Sequence, residues 1–87
     1  MVRWELVSFV SRSEQRKKIL SVLIEPITPS DIAKKTSLYS THVSRALKEF
    51  IEKGLVECLT PKERIGKFYQ ITKLGKEVLK QIDKMKK

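Results

Sequence analysis

The sequence has little of what most catalytic and metal sites require. It contains a single cysteine, Cys58, and a single histidine, His42, among its 87 residues. No intrachain disulfide can form, and there is no cluster of cysteine and histidine to hold a metal ion. There is no glycine-rich phosphate loop and no nucleophile with a plausible base, and the ten acidic residues are scattered among basic ones. We therefore expect no enzyme activity, no catalytic residue, no cofactor and no metal.

Long apolar runs are also missing from the sequence. No stretch approaches the length of a membrane span. The apolar residues near the N-terminus are interrupted by Arg3 and Glu5, which is unlike a signal peptide. We expect a cytoplasmic protein that does not associate with a membrane.

Positive charge, in contrast, is in large excess. The 19 lysine and arginine residues give a formal charge of +9, with a pI near 9.9. Such a charge indicates a polyanionic partner, but the excess is spread along the chain, so charge alone also fits loose binding to any polyanion. With 40% hydrophobic and 33% charged residues, the chain is predicted to form one small globular domain, residues 1–87.

The stretch from Thr28 to Gly54 predicts two helices joined by a tight turn, and the rest of the chain is organised around it. Thr28 is suited to cap the first helix, and Pro29 suits its first position. We expect Ser40 to cap the second helix and Gly54 to end it in the left-handed conformation. The apolar residues of the second helix recur at helical spacing and predict one buried side: Val43, Ala46, Leu47, Phe50 and Ile51.

The other side of the second helix carries hydrogen-bond donors, while its acids, Glu49 and Glu52, come only in the last turns. A helix that enters the DNA major groove by its N-terminal end shows this asymmetry, because carboxylates near the phosphates would be repelled. A solvated helix face with a chance order of charges is the competing interpretation. For Arg45, the alternatives are a bidentate contact to guanine and an ion pair with Glu49 four residues later. The donors are Thr41, His42, Ser44, Arg45 and Lys48.

The apolar residues of the first ten positions fit either an alternating strand or a helix. They are Val2, Trp4, Leu6, Val7, Phe9 and Val10. Such a segment either packs across the domain or meets another subunit. Ser11, three residues before Glu14, then forms a capping-box pattern that begins a helix, and this helix must end before Pro26. Its predicted buried stripe is Ile19, Leu20, Leu23 and Ile24.

Two strand-like segments, residues 55–59 and 67–71, predict a β-hairpin whose connecting loop is rich in turn residues. Ile27, between the first and second predicted helices, can add a very short strand to the edge of this hairpin. Thr72 is suited to cap a last helix. That helix has an apolar stripe formed by Leu74, Val78, Leu79, Ile82 and Met85.

The order of helix, short strand, helix, turn, helix, hairpin and helix resembles a winged helix-turn-helix domain. The likeness is to small transcriptional regulators of the MarR and ArsR types, many of them archaeal. It is carried by TPSDIAKKTSLYSTHVSRALKEFIEKGLVE and FYQITKLGKEVL, and it spans nearly all of residues 12–85. The resemblance implies an α+β, mainly α fold with a three-helix core, a β-hairpin wing and a C-terminal helix. The apolar N-terminal segment is then residues 1–11, the helix-turn-helix 28–54, the wing 55–71 and the C-terminal helix 72–87.

In that family, the helix that matches Ser40–Lys53 reads the major groove, and the wing lies along the backbone or in the minor groove. The resemblance implies DNA-binding residues on the helix at Ser40, Thr41, His42, Ser44, Arg45 and Lys48. On the wing it implies Lys62, Arg64 and Lys67, which we call the wing cations. We expect the wing cations to contact phosphates more than bases. We expect no extra ligand-binding or dimerisation domain of the kind that larger members have, and the sequence lacks the cysteine pairs of metal-sensing relatives.

On these grounds we expect a sequence-specific regulator that binds double-stranded DNA. We also expect a homodimer formed through the N-terminal segment and the C-terminal helix, because their apolar residues exceed what the core should need. The rival to the dimer is that both segments fold back onto the one core. Two other functions stay open: an architectural protein that coats DNA without sequence preference, and a winged helix that binds proteins in a larger assembly.

Overall fold

The structure, a computed structural model, describes residues 3–64 and 66–85. Its elements in chain order are α1 (Trp4–Ser11), α2 (Glu14–Val22), α3 (Pro29–Thr36), α4 (Ser40–Glu52), β1 (Val56–Cys58), β2 (Tyr69–Ile71) and α5 (Lys73–Met85). The predicted mainly helical α+β architecture, with its hairpin and C-terminal helix, is confirmed. Val2 of the predicted apolar segment and Ile65 of the predicted loop lie outside the described residues. Within those residues, no helix has both the length and the apolar composition needed to cross a membrane.

From Trp4 to Ser11, the apolar N-terminal segment is a helix that packs on the core. Leu6, Val7 and Val10 of α1 are buried, and Phe9 packs against the same cluster. The expectation that these side chains exceed the needs of the core is therefore wrong for most of the segment. Its apolar side is covered by α2 and α5, and Trp4 alone among the large apolar side chains of α1 remains mostly exposed, at 58%.

The two predicted serine caps, Ser11 and Ser40, are both wrong, because neighbouring residues hold the cap positions. Ser13 caps α2, because its hydroxyl accepts a hydrogen bond from the backbone N–H of Arg16 at 3.3 Å. Ser11 is instead the last residue of α1, so its backbone is helical and lacks the extended conformation that a cap requires. Ser40 is the first residue of α4, and Tyr39 holds the cap position without a side-chain hydrogen bond.

The helix-turn-helix has the predicted beginning and end. The hydroxyl of Thr28 accepts a hydrogen bond from the backbone N–H of Asp31 at 3.3 Å, and Pro29 occupies the first turn of α3. At the other end, Gly54 has φ +77°, the left-handed conformation that glycine adopts without steric penalty. The turn between α3 and α4 begins at Ser37, which is also left-handed, with φ 60°.

The core lies between the helices and the base of the hairpin. Its fully buried side chains include Ile19, Leu20, Leu23, Ile32, Val43, Phe50, Leu55 and Val78. Two residues predicted for the core are exposed: Ile24 at 52% and Ile51 at 42%. Because α2 ends at Val22, helical spacing no longer sets the direction of Ile24. Ile51 lies on the edge of the buried stripe of α4, beside the exposed Glu52.

β1 and β2 form an antiparallel hairpin of three residues per strand, shorter than predicted. Val56 lies opposite Ile71, and Cys58 lies opposite Tyr69. Ile27 exchanges two backbone hydrogen bonds with Tyr69, at 3.0 and 2.9 Å, which confirms the predicted short third strand. The side chains of Val56 and Ile71 are buried, so this face of the hairpin closes the core.

The start of α5 is hydrogen-bonded to the residue that ends α4 and packs against the hairpin. The hydroxyl of Thr72 accepts a hydrogen bond from the backbone N–H of Gly75 at 3.1 Å, as a cap does, and donates one to the carbonyl of Gly54 at 2.7 Å. Gly75 itself is buried against the backbone of Leu55 and the side chain of Ile71. These contacts set the direction in which the hairpin leaves the helical core.

Candidate nucleic-acid interface

One side of α4 is buried and the opposite side faces solvent. Val43, Ala46, Leu47 and Phe50 pack into the core, which turns the polar side of the helix outward. Every predicted helix residue of the site is exposed: Ser40, Thr41, His42, Ser44, Arg45 and Lys48. We call these six residues the recognition face. They occupy the first nine positions of a 13-residue helix that has no acidic residue in its first turn.

The carboxylate nearest to the recognition face is paired with another helix. Nη2 of Arg16, on α2, lies 3.6 Å from Oε1 of Glu49. The predicted alternative for Arg45, an ion pair with Glu49, is not found. Within the part of the chain that the structure describes, Arg45 has no hydrogen bond or ion pair, and its guanidinium is free to bind a ligand.

Arg16 also links α1 to the end of α4 through Phe9. Its Nη1 donates a hydrogen bond to the backbone carbonyl of Phe9 at 2.9 Å, and its Cζ lies 3.9 Å from the centre of the Phe9 ring. Nζ of Lys53 lies 4.6 Å from the centre of the same ring, and the ring meets Phe50 edge to face at 6.3 Å. Cation–π and aromatic contacts of this kind favour one arrangement of the helices. The last turn of α4 is therefore held to α1 as well as to α2.

His42 is held at the other end of α4 by residues that the sequence did not indicate. Its Nδ1 lies 3.1 Å from Oε1 of Gln15, in the first turn of α2, and its ring is 6.1 Å from the ring of Tyr39. Tyr39 is 80% exposed, the highest value among the large hydrophobic side chains of the described residues. A large aromatic residue in the turn before a recognition helix is a signal that could have been noticed. Gln15 gave no signal, because it is 27 residues from His42 in the chain.

Shallow grooves extend the recognition face in both directions. On one flank, His42 and Arg45 line a groove with Gln15 and Arg16 of α2. On the other flank, two adjoining grooves share Pro29 and Tyr69. The first is lined by Ser44 and Lys48 of α4, and the second by Arg64 and Lys67 of the wing. The recognition face and two of the wing cations therefore lie on one continuous surface.

The loop that carries the wing cations is closed by hydrogen bonds at its base. The backbone N–H of Leu59 donates to the carbonyl of Phe68 at 2.8 Å, and the N–H of Phe68 donates to the hydroxyl of Thr60 at 3.0 Å. Lys67 is half-buried, whereas Lys62 and Arg64 are exposed. Lys62 lines none of the three grooves.

Tyr69 lies at the junction of the two grooves and keeps its proton. Burial raises the pKa of its hydroxyl above the ordinary value, and Cys58 on the paired strand raises it further. The pair is half-buried, with Tyr69 packed against the core. The phenol therefore offers a neutral hydrogen-bonding group between α4 and the wing.

The fold places this chain in the class of MarR-like winged helix-turn-helix proteins. Reduced MarR from E. coli is similar over 88% of this chain, with 28% identity and a TM-score of 0.73. A MarR mutant from E. coli complexed with operator DNA is similar over 92%, with 25% identity and a TM-score of 0.75. A MepR mutant from a multidrug-resistant S. aureus clinical isolate shares the fold over 94%, with 20% identity and a TM-score of 0.78. This chain spans only 59%, 59% and 62% of those three proteins.

A more specific relationship comes from the sequence profile of one family. The profile described as the HVO_A0261 N-terminal domain matches residues 4–87. The chain belongs to this family. A comparison with curated proteins finds no match.

Proposed function

We propose that this protein is a transcriptional regulator that binds double-stranded DNA at specific sequences, with α4 in the major groove and the wing on the backbone. The observation that carries the proposal is the recognition face, which gathers exposed hydrogen-bonding groups and no carboxylate on the N-terminal part of α4. The likeness to a MarR mutant complexed with operator DNA supports it. The proposal includes no catalytic residue and no cofactor, and it places the protein in the cytoplasm with its DNA.

Arg45 is the residue with the best chemistry for reading sequence. Its guanidinium is exposed and has no ion pair among the described residues, so binding would not have to break an existing contact. A bidentate contact from arginine to O6 and N7 of guanine contributes about 1–3 kcal/mol of discrimination. Because Arg16 neutralises Glu49, the nearest carboxylate of α4 repels approaching DNA less than a free acid would.

The beginning of α4 is also suited to a phosphate. Tyr39 caps the helix without a side-chain hydrogen bond, and the carbonyl of Tyr39 accepts from the N–H groups of His42 and Val43. Among the described residues, the N–H groups of Ser40 and Thr41 therefore have no side-chain acceptor at this end. Such groups, together with the helix dipole, favour a negative charge near the N-terminus.

Selection of bound sequences from a random duplex pool tests the proposal. Affinity is then measured on the selected site and on random duplex. Arg45→Ala should lose about 1–3 kcal/mol on the selected site and much less on random duplex. Its free energy of unfolding should be unchanged, because the side chain has no partner among the described residues. Arg3→Ala, which removes an exposed arginine next to α1, is the matched control and should lose little on either DNA.

The other outcomes of this experiment distinguish the alternative functions. Equal losses for Arg45→Ala on both duplexes would mean that Arg45 contacts only phosphate. Tight binding with no selected sequence would favour the architectural function. Binding to duplex DNA no better than that of any basic protein would favour the protein-interaction module.

We also propose that the regulator is a homodimer. Its subunits would meet near Trp4, at the start of α1, and near Met85, at the end of α5. These helices pack against each other, and each keeps one large exposed apolar side chain, Trp4 at 58% and Met85 at 53%. A two-fold dimer places its recognition helices about 34 Å apart and requires a near-palindromic site. The dimer would be the functional unit, because it doubles the number of base contacts.

Light scattering at micromolar concentration tests the dimer. The expected mass is twice 10.1 kDa, and the Trp4→Ala and Met85→Ala double variant should return the mass of the monomer. Tyr39→Ala removes an aromatic residue that is more exposed but lies beside α4, and it should leave the dimer intact. A monomeric wild-type protein that binds one half-site tightly would rule out this assembly.

A further inference from the structure

The contact between α2 and the first turn of α4 favours one tautomer of His42. Nδ1 of His42 lies 3.1 Å from Oε1 of Gln15. An amide oxygen has no proton and can only accept, so this contact is a hydrogen bond when Nδ1 carries the proton. A neutral imidazole carries one proton on its two nitrogens, and Nε2 is then an acceptor.

Nε2 is the ring nitrogen that remains available to a ligand. His42 is exposed in the first turn of α4, and within the described residues the only hydrogen bond of its side chain is the one from Nδ1 to Gln15. The ring of Tyr39 lies beside the imidazole, at 6.1 Å with an angle of 36° between the planes. Its neighbour Arg45, one turn further along α4, can only donate. His42 therefore presents an acceptor on a face otherwise rich in donors.

We infer that His42 reads an exocyclic amino group, adenine N6 or cytosine N4, and that Gln15 is the positioning residue that sets this preference. The inference rests on the proposed function above. In the major groove, adenine N6 and cytosine N4 are the hydrogen-bond donors, whereas guanine O6 and N7, adenine N7 and thymine O4 are acceptors. An unprotonated Nε2 facing one of those acceptors would leave both groups without a partner.

Removal of the Gln15 acceptor should allow His42 to bind bases that do not present an amino group. Without Oε1 beside Nδ1, the imidazole can carry its proton on Nε2 instead and donate to guanine O6 or N7, to thymine O4 or to adenine N7, so cytosine is the base that it can no longer bind. Gln15→Met keeps the length of the side chain and removes the acceptor. The matched control is Gln70→Met, which also removes one side-chain hydrogen bond, from Nε2 of Gln70 to the carbonyl of Ile24 at 3.1 Å.

Nitrogen-15 NMR at neutral pH tests the tautomer directly in the free protein. The chain has one histidine, so the imidazole signals need no assignment. We expect a protonated Nδ1 and an unprotonated Nε2 in the wild type and in Gln70→Met. In Gln15→Met, we expect a shift towards a protonated Nε2. A wild-type protein with its proton on Nε2 would overturn the inference without affecting the proposed function.

Selection from a random duplex pool tests the consequence for DNA. His42→Ala identifies the base position that His42 reads, because selectivity should disappear there. At that position the wild type and Gln70→Met should prefer adenine or cytosine on the contacted strand by about fivefold, as expected for one hydrogen bond. Gln15→Met should abolish this preference or transfer it to guanine or thymine.

The outcomes separate this inference from the proposed function. If the wild type selects no sequence at all, the proposed function fails. If it selects a site, three results overturn only the inference. These are a wild-type preference for guanine or thymine at the position, an unchanged preference in Gln15→Met, and a His42→Ala variant that relaxes no position.

Discussion

Gly75→Ala is expected to destabilise the protein, although alanine is the better helix former. Gly75 is buried in the first turn of α5, and a Cβ atom there would collide with the backbone carbonyl of Leu55. The same Cβ would lie 2.5 Å from Cγ1 of Ile71, whose side chain is itself buried at 3% exposure. Because a backbone carbonyl and a core side chain both resist displacement, the clash should cost about 3 kcal/mol. The higher helix propensity of alanine offsets only about 1 kcal/mol of this cost.

The net effect is a decrease of about 2 kcal/mol in the free energy of unfolding, which lowers Tm by about 8–16 °C in a domain of this size. Chemical denaturation of wild type and variant, monitored by circular dichroism, measures this difference in the free energy of unfolding. Gly66→Ala is the matched control, since a Cβ there meets nothing within 4 Å and the cost is only that of φ +70°. That cost is about 1–2 kcal/mol. A Gly75→Ala variant as stable as the wild type would refute the close packing of α5 on the hairpin.

Two further predictions concern the wing and the helix contacts behind α4. Alanine at all three wing cations should weaken binding to every duplex and lower the slope of log affinity against log salt by about 0.9 for each phosphate that the wing no longer neutralises. An unchanged slope would show that the wing is not on the backbone. Arg16→Met keeps an apolar stem near Phe9 but removes the hydrogen bond to its carbonyl and the partly exposed ion pair with Glu49. It should lower the free energy of unfolding by about 1–2 kcal/mol, while Lys18→Met on the same helix should change it by less than about 0.5 kcal/mol. Equal effects of the two substitutions would mean that Arg16 does not link the helices.

Much of the helix-turn-helix could be predicted from the sequence because its signals are local. Thr28 and Gly54 act through the conformation of a single turn, and both behave as predicted. The spacing of Val43, Ala46 and Phe50 determines which side of α4 is buried, and therefore which side can meet a ligand. The recognition face follows from this spacing alone.

Where two local signals competed, sequence patterns left the choice open or favoured the wrong residue. The apolar residues of the first ten positions fit a strand and a helix equally well, and from Trp4 onward they form a helix that packs on α2 and α5. Ser11 and Ser13 are both possible caps, and the length of α1 decides between them. Ile24 satisfies the helical spacing but follows the end of α2, so its side chain is exposed.

The sequence by itself determined which residues of α4 are polar and exposed, because that depends on a repeat within one helix. Only the tertiary structure decided what those residues touch. Packing of α2 against α4 brings Gln15 to His42 across 27 residues of chain and pairs Glu49 with Arg16 instead of Arg45. No local pattern encodes such pairs, since each partner is polar in its own helix and their meeting depends on the angle at which the two helices pack.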